Sequence, residues 1–91
     1  MKFKTGTVVM TRGISDTMED NLKFFRDVAT AFGRYENCDW GDLCEEDKAL
    51  NEDALKYGNR LFAKYDTSEG HIYIITEWDR SVTTILFPEE Y

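Results

Sequence analysis

Three groups of side chains in this 91-residue chain are of types that do chemistry. The first is the polar run from Thr76 to Thr84, in which Glu77 and Asp79 are candidate paired carboxylates for acid and base work, with Arg80 and Ser81 completing a small ligand site. A structural reading competes with it: Asp79 and Ser81 bond the amides of a turn, and Arg80 pairs with Glu77 or a neighbour. The second group is Cys38, Cys44 and the only histidine, His71. Structural zinc sites usually bring two close pairs of Cys or His ligands, so this set falls short unless Asp39, Asp42 or Glu45 completes it. Two reduced thiols are the simpler reading, and no metal is assigned. A calcium loop fails too. With Gly41 at its turn, Glu36, Cys38 and Trp40 would fill the first ligand positions, and neither Cys nor Trp offers a hard oxygen. No Ser/His/Asp order, glycine-rich phosphate loop or HExxH stands out, so no catalytic residue and no cofactor is assigned and the chain reads as a non-enzyme.

The third group is the largest. The net charge is −7, and residues 36–53 alone carry eight acids (Glu36, Asp39, Asp42, Glu45, Glu46, Asp47, Glu52, Asp53) against the single base Lys48. Residues 1–34 are net +2 and residues 54–91 net −2. Such a cluster repels phosphate backbones and draws basic surfaces, over a range that salt shortens to about 8 Å. Direct nucleic-acid binding is disfavoured. The acids are either a solvated face that maintains solubility or the contact for a basic partner. In the second case the partner-binding residues are Trp40, Asp42, Glu45, Glu46, Asp47, Glu52 and Asp53. Trp40 and Tyr35, aromatic rings beside the charge, either plug a core edge or anchor the interface.

Elements must hold these groups in place. Phe3 to Met10 ends in β-branched residues and reads as a first strand. Ser15, Asp16 or Thr17 is placed to cap a helix, with Asp16 and Glu19 resembling a capping box. Met18, Leu22, Phe25, Val28 or Ala29, and Phe32 recur at spacings of three and four, predicting one helix over 18–32 that ends near Gly33. Phe25 lies in that stripe, so Phe25→Asp is expected to bury a charge and unfold the chain. After a connection over 34–41, Asp42 is placed to cap a second helix whose first turn holds Glu45, Glu46 and Asp47 at the positive end of the dipole. Leu43, Leu50, Ala54 and Tyr57 would form its apolar face and Gly58 its stop. Strands are predicted at 60–65, 71–78 and 82–87, joined by hairpins. Ile72-Tyr73-Ile74-Ile75 is apolar on both faces and suits a central strand with helix on one side and a partner, helix or aromatic layer on the other.

The whole is one α+β domain: about four mostly antiparallel strands packed against one or two helices, with the first strand free to pair in parallel. At this length the chain buries about 60–65% of its unfolded surface, and 42% hydrophobic with 14% aromatic residues suffice for a core. No stretch nears the roughly 20 apolar residues of a bilayer span, and the start does not pattern as a signal peptide. A cytoplasmic protein is expected, with no membrane partner.

Asp39-Trp40-Gly41-Asp42-Leu43, Glu46-Asp47, Asn51, Ala54-Leu55, Gly58, Arg60-Leu61, Tyr65 and Gly70 form one block. Ile74-Ile75-Thr76-Glu77, Asp79-Arg80-Ser81, Thr83-Thr84, Leu86, Pro88-Glu89 and Tyr91 form another. Together they resemble a family of small proteins borne on bacterial plasmids, integrated elements and phages and described as plasmid-related protein or type I restriction subunit M. The resemblance covers residues 39–91, matches 1–38 loosely, and carries over no catalytic residue. It implies an accessory gene of mobile DNA in a bacterial host, a setting in which short acidic proteins block restriction or CRISPR enzymes. Two functions follow as expectations: an anti-CRISPR or anti-restriction inhibitor that sets carboxylates on the basic protein surface of a nucleic-acid-handling defence enzyme, or a small ligand- or metal-binding regulator using residues 77–81. For the first, Glu45 to Glu52 spans roughly 10 Å of helix, comparable with two or three phosphates of one strand.

Overall fold

The computed structural model describes residues 2–91, and its architecture is α+β. The elements run β1 (Thr7–Met10), α1 (Arg12–Asp20), α2 (Leu22–Glu36), α3 (Glu45–Tyr57), β2 (Leu61–Thr67), β3 (Gly70–Thr76), β4 (Val82–Leu86) and a closing 3₁₀ turn, Pro88–Glu90. The four strands form one sheet in the order β1-β4-β3-β2. β2 and β4 both run antiparallel to β3, whereas β1 lies parallel to β4.

The predicted single helix over 18–32 is two helices. Thr11 leaves β1 with extended backbone and accepts from the Ile14 amide through its hydroxyl, so the first helix is capped four to six residues earlier than expected from Ser15, Asp16 or Thr17. Asn21 then breaks the path. Its backbone is extended, and its side chain accepts from the Phe24 amide, so one residue ends α1 and caps α2. The break resets the helical phase, and α2 buries Phe24, Val28, Ala31 and Tyr35 at spacings of four, three and four. Phe25 is 47% exposed, which overturns the expectation for Phe25→Asp and moves it to Phe24, at 0%. Gly33 does not stop the helix, which continues to Glu36 and ends where Cys38 takes a positive φ.

α3 follows the prediction in its acidic first turn and in Gly58, whose left-handed backbone ends it with an N–H bond to the Ala54 carbonyl. Its cap position is Cys44, not Asp42, and carries no side-chain cap bond; Asp42 lies two residues before it, its amide donating to the Lys64 carbonyl at 2.7 Å. The buried face of α3 is Asn51 and Ala54. Leu43 is half-buried, while Leu50 and Tyr57, expected on the inner side, are largely exposed. The β2–β3 hairpin turns through Ser68-Glu69, and β3 stops at Thr76 so that Trp78 stands exposed on the following turn.

Leu61, Ala63, Tyr65, Ile72, Ile74 and Ile85 of the sheet pack with Ile14, Phe24, Val28, Ala31, Tyr35 and Trp40 into one hydrophobic cluster. On the opposite sheet face the rings of Phe62, Tyr73 and Tyr91 lie 4.7–6.4 Å apart, an aromatic layer on the side where Ile75 and Leu86 are buried. A chain of hydroxyls crosses the core: Tyr35 to Thr76 at 2.6 Å, Thr76 to Thr83 at 2.7 Å, and Thr83 to the Thr5 carbonyl at 2.6 Å. The carbonyl only accepts, so each hydroxyl donates onward in that order, and the Tyr35 proton goes to Thr76.

Candidate functional site

The acids that could face a partner sit on α3 and the loop before it. Asp42, Glu45, Glu46, Asp47, Glu52 and Asp53 are all exposed; Trp40 is not. At 3% exposure Trp40 belongs to the core, against Tyr35 at 5.6 Å and Phe3 at 6.1 Å, so it cannot serve as an apolar interface anchor. Its indole N–H donates to Glu52 Oε2 at 2.6 Å, which makes Glu52 the acceptor that allows a nearly buried Trp to keep its polar atom satisfied.

Other carboxylates are also engaged within the fold. Arg34 donates twice to Asp39, at 2.8 and 3.2 Å, and stacks its guanidinium over Tyr65. That bidentate pair holds the Asp39 carboxyl below the usual carboxylate range, helped by the Gly41 amide. Tyr65 donates to the Asp39 carbonyl at 2.6 Å. Lys48 lies 3.7 Å from Glu45, and Asp42 lies 3.9 Å from His71. Glu46, Asp47 and Asp53 pair with no cation among the described residues.

Helical geometry sorts these three. Asp47 is four residues before Asn51 and shares its side of α3, where it lines a groove of about 240 Å³ with Leu43, Leu50, Arg60 and Phe62. Glu46 and Asp53 are seven residues apart and point away from the Asn51–Ala54 face, about 10 Å from one another along the axis. The acids of α3 are thus divided: Glu45 and Glu52 lie on a stripe tied to Lys48 and Trp40, and Glu46 with Asp53 forms a second stripe with no cation partner among the described residues.

The 77–81 turn satisfies its own groups. Asp79 accepts from the Ser81 amide at 3.1 Å and from its hydroxyl at 2.6 Å, and these bonds lower its carboxyl pKa. Arg80, itself at positive φ, donates to the carbonyls of Asn59 at 2.6 Å, Ala54 at 3.0 Å and Glu77 at 3.1 Å. It therefore ties the C-terminal end of α3 to the β3–β4 turn and does not pair with the Glu77 side chain, which lies 3.7 Å from Arg60. A ligand would have to displace these bonds. Cys38 is half-buried, with its thiol pKa pushed up by burial and then by the charge of Glu52, whereas Cys44 is exposed. Among the described residues no three Cys, His, Asp or Glu side chains converge as a metal site, and no helix is long and apolar enough to cross a membrane.

Asn51 was not singled out from its sequence position. Its amide Nδ2 donates to the Phe62 carbonyl at 2.6 Å, and its Oδ1 accepts from the Phe62 amide at 3.1 Å, docking α3 on the outer edge of β2. The available signal was an amide between apolar positions on the inner side of an amphipathic helix. Comparison with family models, curated proteins and solved structures finds no match to the chain.

Proposed function

We propose that this chain is an accessory protein of a mobile element or phage, acting in the bacterial cytoplasm without catalysis of its own. It inhibits a host defence nuclease complex, CRISPR or restriction, by laying the outer face of α3 on a basic surface that otherwise receives nucleic acid. The observation that carries this reading is the stripe of Glu46 and Asp53, exposed carboxylates that pair with no cation among the described residues, on a helix docked through its other side. Their spacing of about 10 Å is comparable with three phosphates of one strand. The resemblance of residues 39–91 to plasmid- and phage-borne proteins supports the biological setting.

The test is co-purification from bacteria carrying CRISPR and restriction systems, followed by cleavage assays with the captured complex. Inhibition is expected to weaken steeply with added salt and to be lost in the double reversal Glu46→Lys/Asp53→Lys without loss of the fold. Glu52 is unsuitable for reversal because it bonds Trp40. Cleavage that proceeds equally with and without the protein, or inhibition untouched by the double reversal, would sink the proposal.

A further inference from the structure

The two edges of the sheet differ. On β2 the main-chain groups of the first two outward residues are covered, Phe62 by the Asn51 amide and Lys64 by the Asp42 amide and a bridge to Gly41, which leaves only Asp66 beside the β2–β3 turn. On β1 they are open. The amides of Thr7 and Thr11 donate to the carbonyls of Ser81 and Ile85 of the β4 side, so by strand alternation Thr7, Val9 and Thr11 face β4, while Val8 and Met10 face outward. Among the described residues no group outside the strand bonds the main chain of Val8 or Met10. Val8, Val9 and Met10 are 38, 39 and 44% exposed, an apolar edge of the kind that proteins usually blunt or cover.

We propose that the protein forms a two-fold dimer through β1, with Val8 and Met10 of one copy paired to Met10 and Val8 of the other across an axis at Val9. The register follows from the alternation. Antiparallel strands exchange bonds between directly opposed residues, so both outward residues of β1, Val8 and Met10, are used when Val9 faces Val9; an axis at Val8 would set Met10 against Gly6, whose φ of 64° is outside strand geometry. Four N–H···O bonds result, and two four-stranded sheets become one of eight strands.

The side chains and charges agree with this pairing. Val8 and Met10 share the helical face of the sheet with their neighbours Thr83 and Ile85. Met10 borders a groove of about 360 Å³ with Met18 and Phe25, which extends the apolar contact beyond the strand. Antiparallel approach sets the Lys2 and Lys4 end of one copy towards the far end of β1 in the other. There Glu90 bonds Thr11 and Gly13, and Asp16 and Glu19 outweigh Arg12. The strand is short, so the interface lies near the small end of the range for specific association and the dimer is concentration-dependent. The inference is independent of the function proposed above; the dimer would place the two acidic α3 faces at opposite ends of the joined sheet.

The test is sedimentation equilibrium from about 10 μM to about 1 mM, the range expected for a small interface, together with amide exchange by NMR at both ends. The mass is expected to rise from one chain to two, with the Val8 and Met10 amides slowing while Thr7 and Val9 stay protected throughout. Val8→Pro removes an outward N–H at an edge position that accepts proline, and Val9→Lys opposes two like charges on the axis. Each should weaken association at least about tenfold, with the melting temperature of the dilute chain close to wild type. A single-chain mass at every concentration with fast-exchanging Val8 and Met10 amides overturns the dimer and leaves the edge to another protein's strand. Association that survives both substitutions also overturns it, as does wild-type protection that ignores concentration if the variants fail to fold.

Discussion

Phe24 and Phe25 are adjacent and chemically identical, yet only Phe24 is in the core, stacked on Phe87 at 5.6 Å. Phe24→Asp is expected to abolish cooperative unfolding, because an unpaired carboxylate would be buried, while Phe25→Asp should leave a folded chain with stability close to wild type. Circular dichroism with urea titration distinguishes them. At Asn51 both halves of one amide are used by the backbone of Phe62, so Asn51→Leu strands a donor and an acceptor at once. A loss of about 1–3 kcal/mol is expected, read from the urea midpoint at unchanged slope. Glu52 and Trp40 show how a residue that reads as free charge becomes structural once an indole N–H needs an acceptor.

At the scale of elements, the helices are held at their ends by single polar side chains. Asn21 caps α2 and also donates to Glu69, and Asp27 accepts from the Ser68 amide, so the start of α2 is fastened to the β2–β3 turn. Glu90 does the same for α1, accepting from Thr11 and Gly13. Arg80 does it for α3 through the carbonyls of Ala54 and Asn59. Arg80→Ala is expected to free the last turn of α3, accelerating exchange of the Gly58 and Asn59 amides, which bond Ala54, while the β2–β3 ladder stays protected. Equal acceleration in both would show that Arg80 supports the whole fold and does not act as a local clamp.

Across the whole molecule, pH acts at both extremes. Asp27, Asp39, Asp79 and Glu90 have carboxyl pKa values lowered chiefly by hydrogen bonds, from the Ser68 amide, Arg34, Ser81 and Thr11 respectively. Their contribution is present above the ordinary carboxyl pKa of about 4 and is lost as the pH falls through the depressed folded values. Tyr35 and Tyr65 are shifted the other way, by burial, so their contribution is full below about pH 10 and fades as the pH rises towards the raised folded values. Stability should therefore fall in acid and again in alkali. In an absorbance titration, two of the five tyrosines are expected to ionise only as the chain unfolds. Ionisation of all five before any loss of circular dichroism would contradict that burial.

The strands were legible in the sequence because an alternating or wholly apolar run between turn residues has few other ways to bury itself, and 60–65, 71–78 and 82–87 lie within two residues of β2, β3 and β4 at every end. The acidic character of residues 36–53 is likewise a property of the sequence alone. Which acids remain unpaired is only partly so: Lys48 pairs with Glu45 at helical spacing within α3, but Arg34 reaches Asp39 across the end of α2, and Trp40 reaches Glu52 only after α3 has taken its place. The phase of α2 was hidden for a related reason. A stripe at spacings of three and four runs through Asn21 without showing a break, and the choice between Phe24 and Phe25 depends on where Thr11 leaves the sheet. That exit point is set by β1 pairing with β4, more than 70 residues away in sequence. Local periodicity determined which segments form helix and strand; long-range hydrogen bonding decided which faces they bury and which edge they leave open.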